Sequence, residues 1–429
     1  MFETIKNAWK VADLRKKILY TIFVILIFRI GSAIVVPFIS ADVLSQMFAN
    51  VTAGGTIFSY LDMMSGGGLS QATIFSLSIT PYINASIIIQ LLTIGIPALE
   101  RIAKQPDGQK KLATITRYTT VGISLLMAFA YYMGLRNGVN GVSALTDTGV
   151  FPAIIIMLSF TAGSTFLMWL GEQVNEKGIG NGISIILFAG IVSRGPALIG
   201  TLISTAGSNG STWWIPVLLV LGMLAMVVFI VIMTGGERRI PVQYAKRVVG
   251  RKMYGGQASH IPIKVNMTGV LPIIFAQSLI SLPATIALAF PNPEAGTFWA
   301  GFLNLFSYQS WFYAVLYFLL IIFFNYFYTT FQFNPVEIGN NIKKNGGFIP
   351  GIRPGKPTSD FITRVLSKIT LLGALFLAVI ALAPILIGYT GLPVQIGGTS
   401  LLILVGVAIE TYKQIESQLL MRHYKGFLD

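Results

Sequence analysis

Ten blocks of predominantly apolar residues recur along the chain, divided by polar connections that are mostly short. They lie near Ile18–Phe38, Gln71–Ile96, Thr114–Leu135, Phe151–Leu170, Gly182–Ser204, Trp214–Met233, Val265–Phe290, Trp311–Phe331, Ile369–Ile387 and Thr399–Ile415. The apolar residues come as continuous blocks, not as stripes down one helical face. At 1.5 Å rise per residue, a helix of about 20 residues matches the ~30 Å hydrocarbon core of a bilayer. Backbone groups in lipid need partners within their own segment, which predicts α-helices. The expectation is an all-α polytopic membrane protein with ten transmembrane spans. The first block has a basic flank, but it is too long for the core of a secretion signal and lacks a convincing cleavage site, so it is read as span one.

Composition sharpens this. Of 429 residues, 54% are hydrophobic and 11% charged, against about a quarter charged in a soluble domain. Mean hydropathy is +0.73. The chain has no cysteine, which excludes disulfides, thiolate catalysis and thiolate metal sites. The two histidines, His260 and His423, stand far apart in polar segments and read as solvated side chains.

The net charge of +14 is distributed by side. Of 30 Lys and Arg, 27 fall before span one, in the connections two–three, four–five, six–seven and eight–nine, or near the C-terminus. Arg136 alone lies in the opposite connections, while Arg29 and Arg194 fall inside spans. Positive-inside bias puts the basic side, with both termini, in the cytosol. The loop around Gly207–Ser211 divides the chain into 1–207 and 208–429, five spans each. Halves with an odd number of spans cross with opposite polarity and can form an inverted repeat. No residue-level repeat is visible, so this is an architectural expectation.

Two basic loops, Thr234–Lys264 and Gln332–Lys368, are the longest on the cytosolic side, and their Gly and Pro density favours a shaped protrusion over a helix. They suit either anionic lipid or a large acidic partner or RNA. Between spans one and two, Thr56–Gly68 reads as one or two amphipathic turns followed by three glycines, too short to span. It either lies at the interface or folds back into a cavity. Span two carries Ser76, Thr80, Asn84 and Gln90, and span seven Asn266, Thr268, Gln277 and Ser278. Polar groups in lipid face other helices or water, so these spans face each other or an aqueous path, or make ordinary interhelical hydrogen bonds.

Catalytic motifs are missing. Gly351–Lys356 has the wrong glycine spacing for a phosphate loop, Gly178–Gly182 follows no strand, and no carboxylate lies mid-span. No enzymatic activity, cofactor, metal or small-molecule substrate is expected. A secondary transporter would need an ion-coordinating site in broken mid-span helices, and a scaffold without a pore would leave Thr56–Gly68 unexplained.

Four segments together carry a family resemblance over nearly the whole chain: Gly66–Gln90 (GGGLSQATIFSLSITPYINASIIIQ), Gly178–Val192 (GIGNGISIILFAGIV), Gly347–Gly355 (GFIPGIRPG) and Gly397–Leu404 (GGTSLLIL). In these the chain resembles the SecY/Sec61 alpha family of protein-translocase channels. The resemblance implies two inverted five-helix halves around an hourglass pore, with a lateral gate between spans two and seven. It implies a plug near 58–67 that includes Phe58, Tyr60, Leu61, Met63, Met64, Gly66 and Gly67. The pore ring is assigned to Ile79, Ile83, Leu187, Ile191, Leu279 (or a nearby aliphatic of span seven) and Ile403. Leu187 and Leu279 depart from the isoleucine-rich pattern but stay bulky and aliphatic. Thr80, Asn84, Gln277 and Ser278 are assigned to the lateral gate. Arg238, Arg239, Lys246, Arg247, Arg251 and Arg353 are assigned to docking of the SecA ATPase or a ribosome. The implied function is passage of unfolded secretory polypeptides across the bacterial cytoplasmic membrane, with sideways release of apolar segments into the lipid bilayer. SecE and SecG are implied as further partners, and DNA is not.

Overall fold

The computed structural model describes residues 2–40, 43–44, 62, 65–137, 143–197, 199–200, 203, 214–244, 247–249, 252–254, 258–287, 298–307, 310–388 and 398–425. In chain order the helices are α1 (Phe2–Lys10), α2 (Ala12–Gly31), α3 (Thr80–Gly95), α4 (Pro97–Ala103), α5 (Gly108–Asn137), α6 (Val150–Lys177), α7 (Gly182–Ser193) and α8 (Trp214–Gly235). There follow α9 (Leu271–Ala287), α10 (Phe298–Leu305), α11 (Trp311–Gln332), α12 (Pro335–Lys344), α13 (Lys356–Gly388) and α14 (Gly398–Lys425).

A helix occupies each of the ten predicted spans. Among the described residues, five stretches are on their own long and apolar enough to cross a membrane: Gly108–Asn137, Val150–Lys177, Pro216–Gly235, Trp311–Lys344 and Lys356–Ile387. The pair α3 and α4, bent by 105°, makes a sixth if taken as one span. Pro97 opens α4 and holds Ile96 extended at φ −111°, ψ 111°, because the proline ring disfavours the helical region for the residue before it. In α8 only 11% of the most apolar stretch is buried, and Leu218, Leu221, Leu224, Val228 and Ile232 point outward. An apolar surface of that extent belongs in lipid.

Several helix boundaries differ from the predicted spans: α7 ends at Ser193, α9 starts at Leu271, α13 starts at Lys356 and α14 runs to Lys425, and two differences reshape the region between spans one and two. Span one was expected to reach Phe38, but α2 stops at Gly31, whose added Cβ would sit 2.0 Å from the Phe75 ring. Span two was expected from Gln71, but the helix starts at Thr80. The intervening chain turns through Ala72 (φ 45°) and Ser78 (φ 50°) and crosses span one's exit, with Val36 N–H donating to Ala72 C=O at 3.0 Å and Ile74 N–H to Ile34 C=O at 3.0 Å. Thr73, Ser76 and Ser78 are buried there. Protein groups satisfy the irregular backbone, which is the condition for such backbone at membrane depth.

The two basic loops build one small body. Strand β1 (Glu237–Tyr244) pairs antiparallel with β4 (Ala258–Lys264), in register from Glu237↔Lys264 to Gln243↔Ala258. A short hairpin lies between them, β2 (Arg247–Val249) on β3 (Lys252–Tyr254). From the second loop, β5 (Gly347–Phe348) joins β1 opposite Tyr244 and Gln243, and α12 supplies a helix that glycine and proline content had argued against. Ile240, Val242, Ile263, Ile342, Ile349, Ile362 and Leu366 form its core.

Candidate functional site

The central apolar cluster draws on both halves of the sequence. Ile79 and Ile83 come from the start of α3, Leu187 and Ile191 from α7, and Ile403 from α14; all five are buried in it. Residues four apart on a helix share a face, so α3 and α7 each present a pair of branched side chains. Of the six residues assigned to the ring, Leu279 alone is exposed, at 40%, and stands outside this cluster, while the next residue, Ile280, is buried at 1%.

The glycines of Gly178–Val192 hold α7 in place. Gly180 takes φ +85°, a conformation that costs residues with a Cβ. Gly182 lies so near α6 that a Cβ would be 2.0 Å from the Gly171 carbonyl oxygen. Asn181 caps α7, accepting from the Ile183 and Ser184 N–H groups, and Asn175 Oδ1 accepts the Gly182 N–H at 2.8 Å.

Gly66 (φ 68°) and Gly67 (φ 90°) adopt left-handed backbone. The other residues assigned to the plug (Phe58, Tyr60, Leu61, Met63 and Met64) lie outside the described residues. Asp62 is described. It is 2% exposed and ion-paired with Arg194 just beyond the end of α7, a contact for which the sequence offers no signal beyond an unexplained charge inside a span.

Helices α3 and α9 pack together, as the polar stripes of spans two and seven suggested. Thr80, Asn84, Gln277 and Ser278 are all buried. The side-chain bonds of Gln277 and Asn84 run to third helices. Gln277 Nε2 donates to the Tyr313 hydroxyl on α11 at 3.3 Å. Asn84 Nδ2 lies 3.9 Å from Met127 Sδ on α5, and Asn84 Oδ1 is buried without a partner. Beside this seam a bond also joins the two halves: the Tyr328 hydroxyl on α11 donates to Gln90 Oε1 on α3.

On the basic body, Arg238, Arg239 and Arg353 are exposed. Arg239 Nε donates to Glu237 Oε1 at 2.7 Å and holds that carboxyl below its ordinary range. Arg353 sits in a loop bracketed by Gly351 (φ 81°) and Gly355 (φ 104°), and its carbonyl accepts the Thr358 hydroxyl at 2.9 Å near the start of α13. Arg247 falls in β2, while Lys246 and Arg251 lie outside the described residues.

The SecY family profile matches residues 73–412. The chain is 44% identical to protein translocase subunit SecY of Halalkalibacterium halodurans and 45% identical to that of Bacillus subtilis, each over the full length of both chains. The SecY of Mycobacterium tuberculosis is 40% identical, again end to end. Among solved structures, a protein-conducting channel superposes with TM-score 0.62 at 19% identity, covering 94% of this chain and 92% of that one. Sec61 from the canine ribosome–channel complex gives 0.59 at 18% identity, with the same coverage.

Proposed function

The chain belongs to the SecY family, and on that premise we infer how its geometry serves a protein-translocating membrane channel. The single observation that carries the reading is the waist: Ile79, Ile83, Leu187, Ile191 and Ile403, from widely separated parts of the chain, gather in one apolar cluster. An aliphatic constriction offers water and ions no hydrogen bonds, so it dewets and resists leak. It is equally indifferent to the side chains of a transiting polypeptide. Span seven contributes an aliphatic to this ring at or beside Leu279, and residues 58–67 plug it.

The α3–α9 seam is the lateral gate. A helix-sized apolar segment gains roughly 0.3–0.6 kcal/mol per central aliphatic residue in lipid, so it leaves sideways when the seam parts while polar chain continues through the pore. The buried polar residues keep the closed seam from being over-stable, Asn84 most clearly, because its carbonyl oxygen lacks a partner. The halves 1–207 and 208–429 move against each other.

The basic body faces the cytosol with both termini, in a bacterial cytoplasmic membrane. Its exposed Arg238, Arg239 and Arg353, with Lys246, Arg247 and Arg251 of the same loop, receive SecA or a ribosome, and SecE and SecG complete the complex. The test is reconstitution of the chain with SecE, SecG and SecA in vesicles. ATP-dependent import of a secretory polypeptide is the expected result. A disulfide engineered across α3 and α9 should block it until reduced; undiminished import through the locked seam would overturn the gate.

A further inference from the structure

Arg29 and Arg194 lie deep in predicted spans, where a cation is costly unless it is paired or wet. Both converge on the hinge of the plug. A Cβ on Gly66 would lie 3.1 Å from Arg29 Nη1, and one on Gly67 would lie 3.3 Å from Arg194 Cζ. Arg194 Nη2 pairs with Asp62 Oδ2, the one acidic residue in 58–67. The same carboxylate accepts the Ser70 N–H on Oδ1 at 2.7 Å. The Asp62 carbonyl takes the Gly67 N–H at 2.8 Å and the Ser65 hydroxyl at 2.9 Å. Asp62 is thus the knot of the hinge, and Arg194 fastens that knot to α7.

We propose that Asp62 and Arg194 form a charge latch that holds the plug closed and releases it when the waist is pushed apart. This rests on the assignment of 58–67 as plug and adds the residues that position it. The place of the latch supplies the coupling. Arg194 follows ring residue Ile191 by three positions, and a Gly66 Cβ would be 3.3 Å from the Cα of Gly190, between the two ring residues of α7. A chain that wedges Leu187 and Ile191 outward therefore moves the backbone carrying Arg194. Reversal is feasible because the latch is incomplete: Arg194 Nε is buried without a partner, and Arg194 remains 32% exposed. Once parted, both ions meet the water of an open pore rather than hydrocarbon, which avoids the large cost of an unpaired buried charge.

The experiment measures ion leak through idle channels, in the complete complex reconstituted in planar bilayers, for Asp62→Asn, Arg194→Gln, the double variant, Arg194→Lys and a deletion of the plug. Each neutralising single variant should raise leak by about ten- to a hundredfold, the range of a charged hydrogen bond. The double variant should be no leakier than either single, and Arg194→Lys should leak least. A Leu69→Cys reporter, buried beside the hinge in a chain without other cysteines, should become accessible to an impermeant maleimide in the Asp62→Asn background. If plug deletion leaks while Asp62→Asn and Arg194→Gln stay tight and the reporter stays shielded, the latch is refuted and the plug stands. If the deletion itself does not leak, the plug assignment falls and the latch with it. Additive effects in the double variant would show that the two residues act separately.

Discussion

Tyr328 donates its hydroxyl hydrogen to Gln90 across a sequence separation of 238 residues, a side-chain bond that crosses from the second half of the chain to the first. Tyr328 also packs its ring on Phe275 of α9 at a centroid distance of 4.9 Å, so one side chain touches both sides of the seam. The bond is a neutral one.

Tyr328→Phe should retain the ring contact and remove only that bond. A neutral hydrogen bond contributes about 1 kcal/mol net, so the open seam should gain about fivefold in population. Insertion of a marginally apolar test segment should rise accordingly, measured as the fraction integrated rather than exported. Unchanged partitioning would place the bond outside the gate.

The waist gives a sharper contrast. Ile79→Ser or Ile403→Ser should wet the constriction and raise idle conductance. In span seven, Ile280→Ala should lower thermal stability by about 2–4 kcal/mol because that side chain is fully packed. Leu279→Ala should be nearly neutral in stability. If Leu279 lines the path, a cysteine there should cross-link to an arrested polypeptide and one at position 280 should not; the reverse pattern would move the ring by one residue.

Docking should depend on charge and loop shape together. Arg353→Glu should weaken SecA binding by about tenfold or more while leaving membrane insertion intact, since the side chain is exposed. Gly351→Ala, at φ 81°, should cost about 1–2 kcal/mol locally and weaken docking without altering charge. Binding assays on both variants separate the two contributions.

The α6–α7 junction tests the packing argument directly. Gly182→Ala drives a Cβ onto the Gly171 carbonyl and should destabilise by about 1–3 kcal/mol or more. Gly222→Ala, in α8 with open space around it, should be neutral or stabilise by up to about 1 kcal/mol. Melting temperatures in detergent distinguish them.

The legible part of this molecule follows from bulk properties. Block hydropathy located a helix at each of ten positions, because lipid permits little else. The run of glycines at 66 and 67 signalled an unusual backbone, and both residues take positive φ, because glycine carries no Cβ. What stayed hidden is tertiary. Apolar content puts Gln71–Ile79 in span two, but does not say that the backbone turns there, since that depends on Ala72 meeting Val36 across the chain. The pairing of Tyr244 with Gly347 joins loops about a hundred residues apart, and no period within either loop announces it. Arg194 was visible as an anomaly, but its partner was not, because a lone charge in a span does not name the residue that neutralises it.

The strand Gly347–Phe348 stitches the second basic loop onto the first, and both loops emerge from helices after residue 213. A load placed on this platform therefore enters the molecule through α8, α9, α11 and α13 and is passed to the earlier helices across their packing surfaces. In the proposed mechanism the platform is the handle of a pair of tongs fixed to one jaw: whatever seats on it would turn that jaw as a piece, with the seam beside α9 the place where the turning shows.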